Sequence, residues 1–113
     1  MKWNELNDIN QLAIIDREST SQKILILKHS TRCSISGAAL ARLERKWKDE
    51  NNETLKPYYL DLLANRDISN AIAERYNVVH ESPQALVISN GKCIFSQTHM
   101  EINADDLVRA SQE

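Results

Sequence analysis

The sequence predicts an α/β fold in which a mixed central β-sheet is sandwiched by helices. Three observations carry that expectation. The run Ile24-Leu25-Ile26-Leu27 is apolar without alternation, as in a strand buried on both faces. The spacing then turns helical, with Ile35, Ala39, Leu43 and Trp47 recurring at every fourth position. Further on, Asn90-Gly91 stands between two short apolar runs, the strongest short-range hairpin signal in the chain.

Taken in order, residues 1–7 read as a loose lead-in with Trp3 and Leu6 as anchors. Asp8 to Arg17 carries Leu12, Ile14 and Ile15 and reads as a short helix. The aliphatic strand Ile24–Leu27 follows, then the polar stretch His29 to Arg32 and an amphipathic helix from about Ser34 to Glu50. The polar run Asp49-Glu50-Asn51-Asn52 is expected to end that helix, with Trp47 on its core stripe. Tyr58-Tyr59-Leu60 is the next strand, closing near Asp61. Ile68, Ala71, Ile72 and Tyr76 mark a second long helix, with Asn65 or Asp67 as its N-terminal cap. Ala85–Ile88 and Cys93–Phe95 form the hairpin, and Asn103 opens a C-terminal helix carrying Leu107 and Val108. Strands separated by helices require parallel pairing, while the hairpin adds antiparallel pairing, hence the mixed sheet. Without its first helix, this succession is that of the thioredoxin fold.

At 113 residues one domain is expected, spanning residues 1–113. No apolar run exceeds four residues, so neither a membrane span nor a signal-peptide core is expected, and the cytoplasm is the default location. The only two glycines, Gly37 and Gly91, lie far apart, which excludes a phosphate-cradling loop. The formal charge is −2 and the 14 basic residues are scattered, which argues against a nucleic-acid partner. The two cysteines, Cys33 and Cys93, form no Cys-x-x-Cys pair, and with His29, His80 and His99 they lack the spacing of a zinc site; no metal is expected.

Cys33 stands where the buried strand has ended and the Ser34 helix begins. Unpaired backbone N–H groups and the positive end of the helix dipole stabilise a thiolate at such a position. Arg32 adds a full charge next to it. The polar flanks Ser30-Thr31-Arg32 and Ser34 are wrong for a core cysteine, so Cys33 is read as reactive. Ser36 holds the position where a dithiol oxidoreductase keeps its second cysteine. Its hydroxyl would either donate to the thiolate or cap a first-turn N–H. Pro83, after Ser82, suits a strand start, where no ladder N–H is needed; alternatively a cis Ser82–Pro83 bond would face the Cys33 turn in this fold. On a strand Cys93 and Phe95 share one face, which makes Cys93 core filler rather than a distal resolving thiol. His80 reads as a solvated loop residue, and His29 as one whose charge would favour the thiolate if it faced the sulfur.

Together, His29-Ser30-Thr31-Arg32-Cys33-Ser34-Ile35-Ser36, Tyr58-Tyr59-Leu60-Asp61-Leu62-Leu63, Arg66-Asp67-Ile68-Ser69, His80-Glu81-Ser82-Pro83-Gln84 and Asn90-Gly91-Lys92-Cys93 resemble the YtxJ-like family of monothiol bacilliredoxins. The resemblance runs from about Ile24 to Phe95. It implies a redox protein that removes bacillithiol from S-bacillithiolated client proteins, with bacillithiol or another low-molecular-weight thiol as co-substrate and no bound cofactor. Cys33 would be the attacking thiolate, with Thr31, Arg32, Ser34, Ser36, Ser82 and Pro83 around it. Compared with thioredoxins, Arg32 replaces the tryptophan usual before the active cysteine and Ser36 replaces the second cysteine, which argues against a general dithiol reductase. Bacillithiol carries a malate group, so Arg32 would either pair with its carboxylates or act only on the thiol. Two other readings are a monothiol glutaredoxin-like iron–sulfur carrier, although Ser34-Ile35 stands where those proteins have Gly-Phe, and a non-enzymatic binding module docking through the Pro83 loop.

Overall fold

The computed structural model describes residues 1–112. Its strands are β1 (Asn4–Glu5), β2 (Lys23–His29), β3 (Leu55–Asp61), β4 (Gln84–Ser89) and β5 (Lys92–Thr98). The helices are α1 (Gln11–Glu18), α2 (Ser34–Lys46), α3 (Asn51–Thr54), α4 (Arg66–Arg75) and α5 (Ala104–Ser111), with a 3₁₀ turn at His99–Glu101. The sheet order is β1-β3-β2-β4-β5. β1, β3 and β2 run parallel, whereas β4 is antiparallel to β2 and β5 to β4. This is the predicted mixed sheet, covered on both faces.

One face packs Ile24, Ile26, Tyr58, Leu60, Leu86 and Ile88 against Leu12 and Ile15 of α1 and Ile68 and Ile72 of α4. The other packs Leu25, Leu27, Leu55, Ala85 and Val87 against Ala39 and Leu43 of α2 and Leu107 of α5. Ile24 to Leu27 are each no more than 1% exposed, which explains the unbroken apolar run. Burial on that scale is worth roughly 1.5–3 kcal/mol per aliphatic side chain. Asn90 (φ 51°) and Gly91 (φ 73°) both take the left-handed conformation that a two-residue hairpin turn of type I′ requires. Asn103 caps α5, its side chain accepting the Asp106 N–H at 3.2 Å.

Several expectations are corrected. The lead-in is not loose: β1 pairs with Tyr58 and Tyr59 of β3, and Leu6 is buried beside it. α1 starts at Gln11 rather than Asp8, and Ile14 is exposed. β3 starts earlier than expected and includes Pro57, whose carbonyl accepts from the Asn4 side chain on the β1 side. A residue's N–H and C=O point the same way in a strand, so the missing proline N–H falls on that sparsely paired side and no β2–β3 bond is lost.

α2 ends at Lys46, not Glu50. Trp47 is extended (ψ 133°) and buried from beyond the helix, its indole N–H donating to Asn52 Oδ1 at 2.8 Å. The second half of the polar run, Asn51 and Asn52, opens α3. Ile35 is 45% exposed, because a repeat of four drifts around a helix of 3.6 residues per turn. Finally, a β-bulge shifts the β4–β5 register, so that Phe95 pairs with Val87 but Cys93 with Ile88. The extra residue puts Cys93 and Phe95 on opposite faces of the sheet, each against a different core.

Candidate active site

Four segments meet at the end of the sheet where β2 and β3 finish and β4 begins. β2 and β3 close in register at His29 and Asp61, and Gln84 pairs with Lys28, which sets Pro83 beside His29 across the sheet. The turn after β2 carries Ser30 to Arg32 and delivers Cys33 as the N-cap of α2, with φ −106° and ψ 119°. Its carbonyl accepts the Gly37 N–H at 3.0 Å, and its N–H donates to Ser30 O at 3.2 Å. No side chain caps this helix start, so the first-turn N–H groups and the helix dipole are left facing the thiol's surroundings. Cys33 is partly exposed; Thr31, Arg32 and Ser34 flank it at the surface.

Ser36 departs from both roles expected of it. It is fully buried, and its Oγ accepts the Ser30 N–H at 3.0 Å while sharing a 2.8 Å hydrogen bond with His29 Nδ1. Neither a first-turn N–H nor Cys33 is its partner: the hydroxyl fastens the turn that carries the cysteine. His29 is buried as well, and its ring lies 5.5 Å from that of Tyr59, which in turn meets Trp3 edge-on. Burial holds the His29 imidazole below its ordinary pKa, against the opposing effects of Asp61, the Ser36 contact and Glu44, so it is neutral at pH 7. A positive His29 facing the sulfur is therefore not what this site uses.

On the other side the Ser82–Pro83 bond is cis, and Pro83 is buried. The Pro83 carbonyl accepts the His99 N–H at 3.0 Å, and Gln84 Nε2 donates to Val79 O at 3.0 Å, closing the loop that ends in the proline. The Ser82 hydroxyl is buried with no hydrogen-bond partner among the described residues.

Sequence reasoning missed Lys28. Its side chain is fully buried and donates to Ser69 O at 3.1 Å, with His80 Nδ1 at 3.2 Å. Burial lowers its pKa to about 8. His80 is consequently not a freely solvated loop residue: it is tied to Lys28 and Ser69 at the base of the Pro83 loop. Burial and the Lys28 charge hold its pKa down. The only signal in the sequence was a lysine directly after an all-apolar strand.

Cys93 lies at the opposite end. It faces Ile88, which pairs with Ile24 at the start of β2, so most of β2 separates it from Cys33. Five strand residues span roughly 16 Å, beyond disulfide reach. Its thiol donates to Phe95 O at 3.4 Å, and burial pushes its pKa up. Among the described residues, no group of three or more His, Cys, Asp and Glu side chains is placed to hold a metal ion. Among the described residues no helix is long and apolar enough to cross a membrane.

The fold and a cysteine at this helix start define a thioredoxin-like thiol–disulfide oxidoreductase. A solved structure described as a proposed oxidoreductase with a thioredoxin fold shares 33% identity, with a TM-score of 0.81 over 96% of this chain and 92% of that one. The thioredoxin of Malassezia sympodialis (14% identity, TM-score 0.73, 98% and 89% covered) and that of Fasciola hepatica (16%, 0.71, 96% and 96%) share the fold. The family model for the monothiol bacilliredoxin BrxC matches residues 4–107, and the chain belongs to that family.

Proposed function

We propose that the protein removes bacillithiol from S-bacillithiolated proteins through Cys33 alone. The supporting observation is the arrangement around that thiol: Cys33 opens α2, the position three residues on is a serine already engaged by His29 and Ser30, and Cys93 is out of reach. Cys33 thiolate attacks the bacillithiol sulfur of the mixed disulfide. A Cys33–bacillithiol disulfide forms, the client–bacillithiol bond breaks, and the client sulfur leaves with the electron pair and takes a proton from water. With no thiol at position 36, a free bacillithiol thiolate then attacks the bacillithiol sulfur of the adduct. Cys33 is regenerated, and one bacillithiol disulfide leaves for each client reduced.

Bacillithiol is thus a co-substrate rather than a bound cofactor, and the partners are S-thiolated client proteins, not nucleic acid or membrane. Such exchange belongs in the cytoplasm, where thiols are kept reduced. The reading is tested by following release of the client thiol from an S-bacillithiolated protein in excess bacillithiol. Catalysed release by wild type and none above background with Cys33→Ser is the expected outcome. Equal rates from both proteins would end the proposal. A visible chromophore after anaerobic reconstitution, with no thiol release, would instead favour an iron–sulfur carrier.

A further inference from the structure

The turns after β2 and β3 stand side by side, because these strands are paired up to His29 and Asp61. Between them lies an open groove of about 390 Å³ lined by Thr31, Arg32, Asp61, Leu63, Ala64 and Arg66. That volume falls within the range of small-molecule sites. Two guanidinium groups border it: Arg32, next to Cys33, and Arg66, the first residue of α4. Among the described residues neither makes an ion pair, whereas Arg75 and Arg109 are held by Asp16 and Asp106. Asp61 is the one carboxylate in the groove lining, and it accepts the Leu63 N–H at 3.2 Å and the more distant Ala64 N–H at 3.5 Å. Both contacts fall on Oδ1, and the Asp61 charge also acts on His29 and Tyr59.

We propose that this groove binds the anionic part of the small thiol, and that Arg66 together with Arg32 selects thiols bearing carboxylates over neutral or cationic ones. The inference rests on the reading of Cys33 as the residue that receives the small thiol. Guanidinium groups bind carboxylates through paired, charge-assisted hydrogen bonds, and two arginines against one carboxylate leave the groove with a net positive charge. Holding the anionic arm beside Arg32 also determines which sulfur is attacked. A mixed disulfide offers two sulfurs, and attack on the client's would leave Cys33 joined to the client. With the carboxylates anchored in the groove, the sulfur of the small thiol is the one presented to Cys33, and the client sulfur becomes the leaving group.

The test uses one cysteine peptide capped as three mixed disulfides, with mercaptosuccinate, 2-mercaptoethanol and cysteamine. The rate of peptide-thiol release is measured for wild type, Arg66→Gln and Arg66→Lys. Taking each variant relative to wild type on the same probe removes the intrinsic reactivity of the probes. Arg66→Gln is expected to slow the mercaptosuccinate probe about tenfold and to leave the 2-mercaptoethanol probe within about twofold, with Arg66→Lys between them on the first probe. Raised salt shrinks the difference. Equal effects on all three probes, or none, would overturn the groove assignment while leaving the Cys33 reading standing. No release from any probe by wild type would instead remove the Cys33 reading and the groove with it.

Discussion

At the hairpin end of the sheet β2 begins and β4 ends among Ile24 and Ile88, both wholly buried, whereas at the other end the same strands hold Lys28 and Gln84, equally buried and polar. The first end draws its stability from removing apolar surface from water. The second has Lys28, His29, Ser36 and Gln84 inside, and each is hydrogen-bonded because an unpaired buried polar group costs several kcal/mol. Each cysteine takes its character from its end. Cys93 packs on the Ile88 face with its thiol pKa raised by burial. Cys33 sits at an uncapped helix start directly after Arg32, at the end of the sheet where β4 begins after the cis Ser82–Pro83 bond. On the proposed reading Cys33 therefore acts at an end built from hydrogen-bonded polar structure rather than from apolar core.

The contrast can be broken most severely at the cysteines. Cys33→Ser should reduce client release on the order of a thousandfold or more, and Cys93→Ser should leave it within about twofold, both read from initial rates. A large loss from Cys93→Ser in a protein that still folds would erase the distinction between the two ends. Next in size is the shared core: Ile26→Ala should lower the unfolding free energy by about 2–5 kcal/mol in urea titrations.

Lys28→Met sharpens the comparison, because it converts the polar end to the apolar kind. The Lys28 pKa is about 8 in the folded protein against an ordinary 10.5. Between those values the unfolded chain binds more protons, so wild-type stability rises with pH across that window relative to a variant lacking the amine. Lys28→Met should accordingly be more stable than wild type at pH 7, by about 1–3 kcal/mol, with the gap closing toward pH 10. A gap that does not change with pH would show that the amine is not held at a depressed pKa. The smallest effect belongs to the hairpin: Gly91→Ala should cost about 1–2 kcal/mol through its left-handed φ alone, since an added Cβ meets nothing closer than 4.0 Å. Client release should not change.

The hairpin end was the more legible in sequence. An unbroken aliphatic run, Asn90-Gly91 and the Asn103 cap each have one local meaning, and each recurs in the structure. Cys33 at a helix start was equally readable, because the change of period falls between Leu27 and Ile35. What escaped depends on tertiary context. Asn4-Glu5 has no strand pattern and becomes β1 only because β3 offers an open edge. The bulge that separates Cys93 from Phe95 leaves no mark in composition. Trp47 matches the helical stripe, yet it is buried from an extended position by its bond to Asn52. Arg66 stands in the sequence only as part of the segment Arg66-Asp67-Ile68-Ser69, and it is the β2–β3 pairing that lets it line one groove with Arg32. Ser36 likewise could be assigned a partner only once His29 was seen to turn inward.

The central claim is that one of the two thiols carries the chemistry and the other is packing. Mass mapping tests it directly: wild type is mixed with an S-bacillithiolated client without free bacillithiol, trapped by alkylation and digested, and the adduct is located. The account predicts the bacillithiol mass on the peptide containing Cys33, with Cys93 alkylated or unmodified. Bacillithiol on Cys93, or an internal Cys33–Cys93 disulfide, would contradict it.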